Sequence, residues 1–288
     1  MIASVGEADV AVIGLGVIGG SAALRVREHG TKVRGFSTSA VDRALATEAG
    51  LEIVSSLEDT VRGVGLVLIA VPLDHICSVA MQVIGAAPPT ATILHAGSLQ
   101  REEALRALPE TMSQLLGTHP LAGSHLTGFG AARADLFRDA IVFVEQRGTP
   151  RQKEDAELFW SLAGARRIEY LTASEHDDAM AWMSHLPQLA STALAGTLAG
   201  SPQRLPMRPG PGARDATRLA MSNYEMWRPI LERAPDQTLL ALEALASGVQ
   251  HLRAALENDD WQAVREIWLR AAAWRESAEP RAEAVGQG

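Results

Sequence analysis

Lysine, cysteine, tyrosine and long apolar runs are all scarce in this chain, and each scarcity excludes something. Cys77 is the single cysteine, so neither an intramolecular disulfide nor a Cys-rich zinc site can form. That usage suits a reducing cytoplasm. No stretch reaches the roughly 18 apolar residues of a membrane span, so none is expected. The first apolar run has no basic region before it and leads straight into glycines, which excludes a signal or transit peptide as the reading. Only Lys32 and Lys153 carry amines, which removes most candidates for a catalytic lysine. The formal net charge of −8 argues against broad nucleic-acid binding. What remains is an ordinary globular composition, with 288 residues, long enough for about two domains.

The two halves differ in pattern. Short apolar runs at 9–14, 32–36, 66–71, 91–95 and 115–119 alternate with amphipathic stretches at 19–29 and 40–49. Such alternation predicts βαβ units and a parallel sheet, extended by 140–145, a helix at 153–163 and a strand at 166–170. Beyond residue 170 strand-like runs stop. Helices are expected at 173–199, 216–234, 237–257 and 260–276, with Asp236 and Asp259 at N-cap positions and a Pro/Gly-rich loop at 201–212. The reading is therefore an α/β domain over 1–170 and an all-α domain over 171–288.

Gly14, Gly16 and Gly19 form GxGxxG, with Val17 and Ile18 between them. Alone the motif is weak. Here it follows a predicted strand and opens a predicted helix, the context of a dinucleotide-binding Rossmann unit. The helix start supplies free N–H groups and positive dipole for phosphates. Val71 and Pro72, closing the strand at 66–71, join the cofactor-binding candidates. The second strand ends in Ser37, Thr38 and Ser39 without the acid that would hold a ribose 2′-OH. With Arg43 nearby, that favours NADP, with NAD as the alternative; the plainer reading has Ser37 and Thr38 capping the next helix.

Four patches resemble the prephenate/arogenate dehydrogenase family of tyrosine biosynthesis. They are 12–21 (VIGLGVIGGS), 117–128 (GTHPLAGSHLTG), His176-Asp177 with Ser184-His185-Leu186-Pro187, and 213–220 (ARDATRLA) with Met226-Trp227. The resemblance implies a Rossmann domain joined to an all-α C-terminal domain that forms a homodimer. It also implies oxidative decarboxylation of a cyclohexadienyl substrate, prephenate or arogenate, with a nicotinamide cofactor. His119 matches the family's catalytic histidine, on a loop at a strand's carboxyl end, where an imidazole suits proton removal from an alcohol. Ser98 matches a serine near the reacting hydroxyl, and also reads as an N-cap for a helix near 101–108. Arg218 matches an arginine that binds a substrate carboxylate. His185 matches a substrate-side histidine.

The sequence departs from the family pattern at four positions. His95 stands where Asp is usual, Gln100 where Lys is usual, His125 where Glu is common and Gln188 where a second histidine is often found. His125 and Gln188 count with His185 and Arg218 as substrate-binding candidates. The departures keep 4-amino-4-deoxyprephenate as a rival substrate. A non-catalytic nucleotide-sensing dimer is a further alternative, and a β-hydroxyacid or imine reductase another, though the helical half has no lysine. Arg214 and Asp215 read as a supporting pair. His176-Asp177-Asp178 reads as a charge patch at a helix start, and no metal is assigned. The six tryptophans read as helix-packing residues.

Overall fold

A computed structural model describes residues 9–101, 114–123, 126–200 and 208–278. The chain forms two compact units that divide between Thr238 and Leu239. The first is built on an eight-stranded sheet. Its strands are β1 (Val10–Ile13), β2 (Val33–Phe36), β3 (Glu52–Ile53), β4 (Leu66–Ile69), β5 (Thr92–His95), β6 (Leu115–Pro120), β7 (Ile141–Glu145) and β8 (Arg167–Leu171). Their order is β3-β2-β1-β4-β5-β6-β7-β8.

From β3 to β6 all pairs are parallel, as the βαβ reading expects. The sheet differs from expectation at the next step, because β6 and β7 pair antiparallel, with His119 opposite Phe143. A parallel neighbour needs a crossover, usually a helix. Between β6 and β7 the described residues hold a 3₁₀ turn (Phe129–Ala131) and further turns at 134–139 but no α-helix to make a crossover. A full helix over Pro150–Leu162 then restores parallel pairing of β7 with β8.

Strands β1 and β4 are fully buried, which explains their unbroken apolar runs. Alternate residues feed two core layers. Val10, Val12, Leu66 and Leu68 pack with Ala22, Ala23, Val26 and Trp160 on one face. Ala11, Ile13, Val67 and Ile69 pack with Leu57, Val61, Ala80 and Val83 on the other.

After β8 the described chain is helical. The stretch expected at 173–199 is α1 (Ala173–Met180) and α2 (Leu186–Ala199), joined through a π-helical turn at Ala181–His185. The helix expected at 216–234 is broken. Pro211–Ala216 is helical, Arg218–Met221 forms a 3₁₀ turn, and Asn223 caps a new helix at Tyr224–Arg233. Leu99, Leu73, Trp227, Ile230 and Ala234 share a small apolar cluster, which seats that helix beside the loop after β5.

A helix at Pro235–Glu257 carries the chain across the division, with Asp236 in its first turn. The last helix, Trp261–Ala278, is capped by Asp260, which accepts from the Ala263 N–H at 3.0 Å. Asp259, expected as the cap, instead has a left-handed φ of 53°. Leu239, Val249, Trp261, Trp268 and Trp274 are exposed on this chain, whereas Trp160 is fully buried. No helix among the described residues is long and apolar enough to cross a membrane.

Candidate active site

The carboxyl ends of β1, β2, β4, β5 and β6 share one sheet edge, and strand order reverses between β1 and β4. Ligands of open α/β sheets bind at such a switch point. Gly14 turns sharply there with φ 96°, and a Cβ on it would lie 2.4 Å from the Ala70 carbonyl oxygen and 3.0 Å from Val71 Cγ1. Val71 and Pro72 thus wall the turn, and Pro72 begins the next helix, Leu73–Ala86. Gly19 is equally obligatory, since a Cβ would lie 1.9 Å from the Gly14 carbonyl oxygen.

Gly16 is different. A Cβ there would meet nothing within 4 Å. The 12-residue helix Val17–Glu28 begins at Gly16 with no side-chain cap, unlike the helices that Ser39, Thr149 and Thr172 cap. Its first N–H groups, at Val17 and Ile18, are thus left without a side-chain cap. This open, uncapped, positively polarised cradle fits a dinucleotide pyrophosphate.

At the end of β2 the cap is Ser39, which accepts from the Asp42 N–H at 3.2 Å. Ser37, buried, accepts from the Ser39 N–H at 3.2 Å, and Thr38 is exposed. Arg43 folds back over this loop. Its Nη1 donates to the Ser37 carbonyl at 2.7 Å and the Thr38 carbonyl at 3.0 Å. Asp42 is turned away and accepts from the Phe129 N–H at 2.8 Å.

Four histidines and one carboxylate gather by the ends of β5 and β6. His119 Nδ1 lies 2.9 Å from His176 Nε2. On its other side His176 Nδ1 donates to Asp177 Oδ1 at 2.7 Å. Asp177 also accepts from the Gln100 N–H at 2.8 Å and the Arg101 N–H at 3.0 Å. This ties the loop after β5 to α1. His176 and Asp177 are buried, and Phe143, paired opposite His119, meets the His176 ring edge-on at 5.3 Å. The antiparallel strand thus completes the packing around that ring. Arg101 pairs with Asp178 at the rim.

His95 is buried, with Nδ1 accepting from the Gly97 N–H at 3.2 Å. Burial, helped by His176, lowers its pKa to about 4. Gln100 reaches back to the Gly97 carbonyl at 2.7 Å. His119 is half-buried, and burial together with His176, His95 and His185 holds its pKa well below the usual imidazole range. Its Nε2 has no hydrogen-bond partner among the described residues. Ser98 lies on the same loop, half-buried, its hydroxyl unengaged among the described residues. The helix it was expected to cap lies largely outside them.

The π-helical turn ends on His185. Its Nδ1 sits 2.9 Å from the Thr238 hydroxyl, and the Trp227 ring meets it edge-on at 5.9 Å. Burial, outweighing the pull of Asp177, lowers its pKa to about 4. A π-helical turn shifts side chains out of α-helical register, and such turns recur at functional sites. Gln188 is occupied by protein partners. Its Nε2 donates to the Leu219 carbonyl at 2.9 Å, and its Oε1 accepts from the Ser222 hydroxyl at 3.1 Å. It braces the turn that carries Arg218, which is exposed and has no ion pair among the described residues. Arg214 and Asp215, adjacent and exposed, make no ion pair with each other. His125 lies outside the described residues. Among the described residues no group of three or more His, Cys, Asp or Glu is arranged to hold a metal.

Sequence reasoning counts His176 and Asp177 within a family-like patch but reads them chemically as a charge patch at a helix start, with no role at the site, whereas the structure buries both. Their signal was positional: 176, 177, 180 and 181 form one helical stripe, and Met180 and Ala181 mark it as buried. A His-Asp pair on a core-facing stripe requires partners.

Comparison with known proteins fits this geometry. Residues 22–169 match the nucleotide-binding domain of prephenate dehydrogenase, and residues 172–270 match its dimerization domain. A cyclohexadienyl dehydrogenase from Zymomonas mobilis is 32% identical over 264 residues, covering 87% of this chain and 89% of that protein. A Bacillus subtilis prephenate dehydrogenase is 28% identical over 268 residues, covering 87% and 71%. The crystal structure of the A. aeolicus prephenate dehydrogenase, in complex with hydroxyphenyl propionate and NAD+, superposes with a TM-score of 0.83 at 22% identity, covering 96% of this chain and all of that one.

Proposed function

The chain belongs to the prephenate dehydrogenase family, and we propose that it oxidatively decarboxylates a cyclohexadienyl substrate, prephenate or arogenate, with a nicotinamide cofactor. The observation that carries this reading is an open phosphate cradle at Gly16 on the same sheet edge as His119, whose Nε2 is free among the described residues. A bound dinucleotide would supply the hydride acceptor for ring carbon 4, and loss of the ring carbon 1 carboxyl group as CO2 would leave the ring aromatic. The glycine loop at 14–19, with Val17, Ile18, Val71 and Pro72, holds the pyrophosphate and its neighbours. His119 accepts the proton of the 4-hydroxyl at Nε2. Its low pKa keeps it unprotonated, and so ready to accept, at neutral pH. Ser98 and His185 orient the ring, and Arg218 presents its fork to a carboxylate.

Several features support the finer readings. Arg43, pinned over Ser37 and Thr38 where an acid would otherwise stand, favours the 2′-phosphate of NADP over NAD. Residues 1–170 serve as the dinucleotide domain and 171–288 as the substrate and dimerisation domain. The match to a dimerization domain, with the exposed Leu239, Val249, Trp261, Trp268 and Trp274, supports a homodimer through the C-terminal helices. A chain with one cysteine, which can form no internal disulfide, fits a cytoplasmic enzyme.

The test is a panel of prephenate, arogenate and 4-amino-4-deoxyprephenate, each with NAD and NADP, followed by reduced-cofactor absorbance. Turnover of prephenate or arogenate is expected. Turnover of the 4-amino compound alone moves the chain to that chemistry. Dinucleotide binding without any turnover overturns the enzymatic reading.

A further inference from the structure

Behind His119 lies a hydrogen-bonded line that the reading above does not use. Asp177, His176 and His119 are joined by contacts of 2.7 and 2.9 Å. Every part of it is held. Asp177 is fixed by two backbone N–H groups of the loop after β5. The His176 ring is clamped edge-on between His119, at 5.1 Å, and Phe143, at 5.3 Å.

This arrangement restricts where protons sit. His176 Nδ1 must carry one, because it faces a carboxylate oxygen. The bond between His176 Nε2 and His119 Nδ1 then holds one proton, on one side or the other. With it on His119 Nδ1, His119 Nε2 is a bare lone pair. With it on His176 Nε2, His176 is an imidazolium against Asp177, and His119 can be neutral while carrying a proton on Nε2. Both arrangements keep the same heavy-atom contacts.

We propose that His176 and Asp177 are positioning residues that form a proton relay behind His119, resting on the reading of His119 as the base. As the substrate O–H bond breaks, an N–H bond forms at His119 Nε2. The His119 Nδ1–H bond breaks, and an N–H bond forms at His176 Nε2. His119 ends neutral, and the positive charge rests on His176 beside Asp177. The surroundings favour that destination. The titratable groups facing the His119 ring are His95 from β5, His176 from α1 and His185 from the π-helical turn, and Phe143 of β7 is apolar. Asp177 is the carboxylate whose charge opposes the lowered pKa values of His95 and His185. A cation left on His119 would face three imidazoles, whereas on His176 it meets that carboxylate.

The first test needs no substrate. Nitrogen-15 correlation spectra of the histidine rings in the intact chain, at neutral pH, should show His119 protonated at Nδ1 and bare at Nε2, with His176 protonated at Nδ1. In His176→Phe, His119 should lose that enforced tautomer. Finding His119 protonated at Nε2 in the wild type, with His176 neutral, overturns the relay. The second test reads proton movement in single turnovers. Rates in H2O/D2O mixtures should curve with deuterium fraction in the wild type, the mark of two protons in flight. His176→Gln can still accept from His119 Nδ1 but cannot pass a proton on. It should be slower by about tenfold to a hundredfold, less than loss of the base itself, with a linear dependence and unchanged dinucleotide affinity. Wild-type speed and curvature in a folded His176→Gln protein overturn the relay. If no substrate turns over at all, the enzymatic reading fails instead, and the tautomer result still decides the proton arrangement.

Discussion

Replacing Gly16 with alanine separates the phosphate cradle from the fold around it. Gly16 has φ −76° and ψ −160°, a conformation alanine adopts freely, and its added methyl meets nothing within 4 Å. Alanine is a poorer N-cap than glycine, which costs up to about 1 kcal/mol, while reduced freedom of the unfolded chain returns about 0.4–1 kcal/mol. The net is near zero, so Tm should move by no more than about 4 °C. The methyl does, however, take up part of the open space at the helix start that the uncapped N–H groups would share with a phosphate. Pushing a phosphate off one charge-assisted bond removes about 1.5–3 kcal/mol, so dinucleotide binding should weaken roughly 10- to 150-fold. Gly19→Ala is the contrast, because its methyl would overlap the Gly14 carbonyl oxygen at 1.9 Å and must distort the helix start. Titration calorimetry with NADP and NAD, beside thermal unfolding without ligand, reads both quantities. A Gly16→Ala protein that binds within twofold of wild type, or that unfolds as readily as Gly19→Ala, refutes the assignment of this turn to phosphate.

Three further outcomes follow from the same geometry. Arg218→Ala should raise KM about tenfold or more with little change in kcat, because a charge-assisted bond to substrate is lost; an unmoved KM with lowered Tm would make Arg218 structural. Ser37→Asp should shift preference toward NAD, since a carboxylate there would bind a ribose 2′-OH and repel a 2′-phosphate; unchanged kcat/KM ratios for the two cofactors would show that this loop does not read the ribose. Acid should destabilise the fold through its buried histidines. His95 and His185 have folded pKa values of about 4 against about 6.5 when unfolded, so above pH 6.5 both states are neutral and the stability is fully present. Between pH 6.5 and 4 the unfolded chain takes up protons first, and each group gives up to roughly 3 kcal/mol of stability away. A urea midpoint that stays flat from pH 7.5 to 4.5 would contradict this.

The parts of the fold legible in the sequence are those governed by local chemistry. Strands β1 and β4 announce themselves because both faces are buried, and the glycine turn because Gly14 and Gly19 permit no side chain. Strand direction beyond β6 is not local. It depends on whether a crossover helix fits between β6 and β7, and 121–140 carries no pattern that says so. Over 216–234 the apolar spacing persists through Thr217 and Ser222, where the backbone leaves the helix, so periodicity predicts one helix where the chain forms separate pieces. At the site, His119 was marked by its loop and its resemblance. The structure shows instead what occupies Gln188, whose amide braces the Leu219 turn, and what lies behind His119. His176 and Asp177 acquire meaning only when α1, β6 and the loop after β5 meet, through contacts 57 and 77 residues apart in the chain.

The central claim is that His119 takes the proton as hydride leaves the substrate. Its most direct measurement is the saturated turnover of His119→Asn with the preferred cyclohexadienyl substrate, alongside dinucleotide affinity. The account predicts a kcat lower by roughly 10²–10⁴, with affinity unchanged because the phosphates are held by the glycine turn. A folded His119→Asn protein that turns over at the wild-type rate would contradict it.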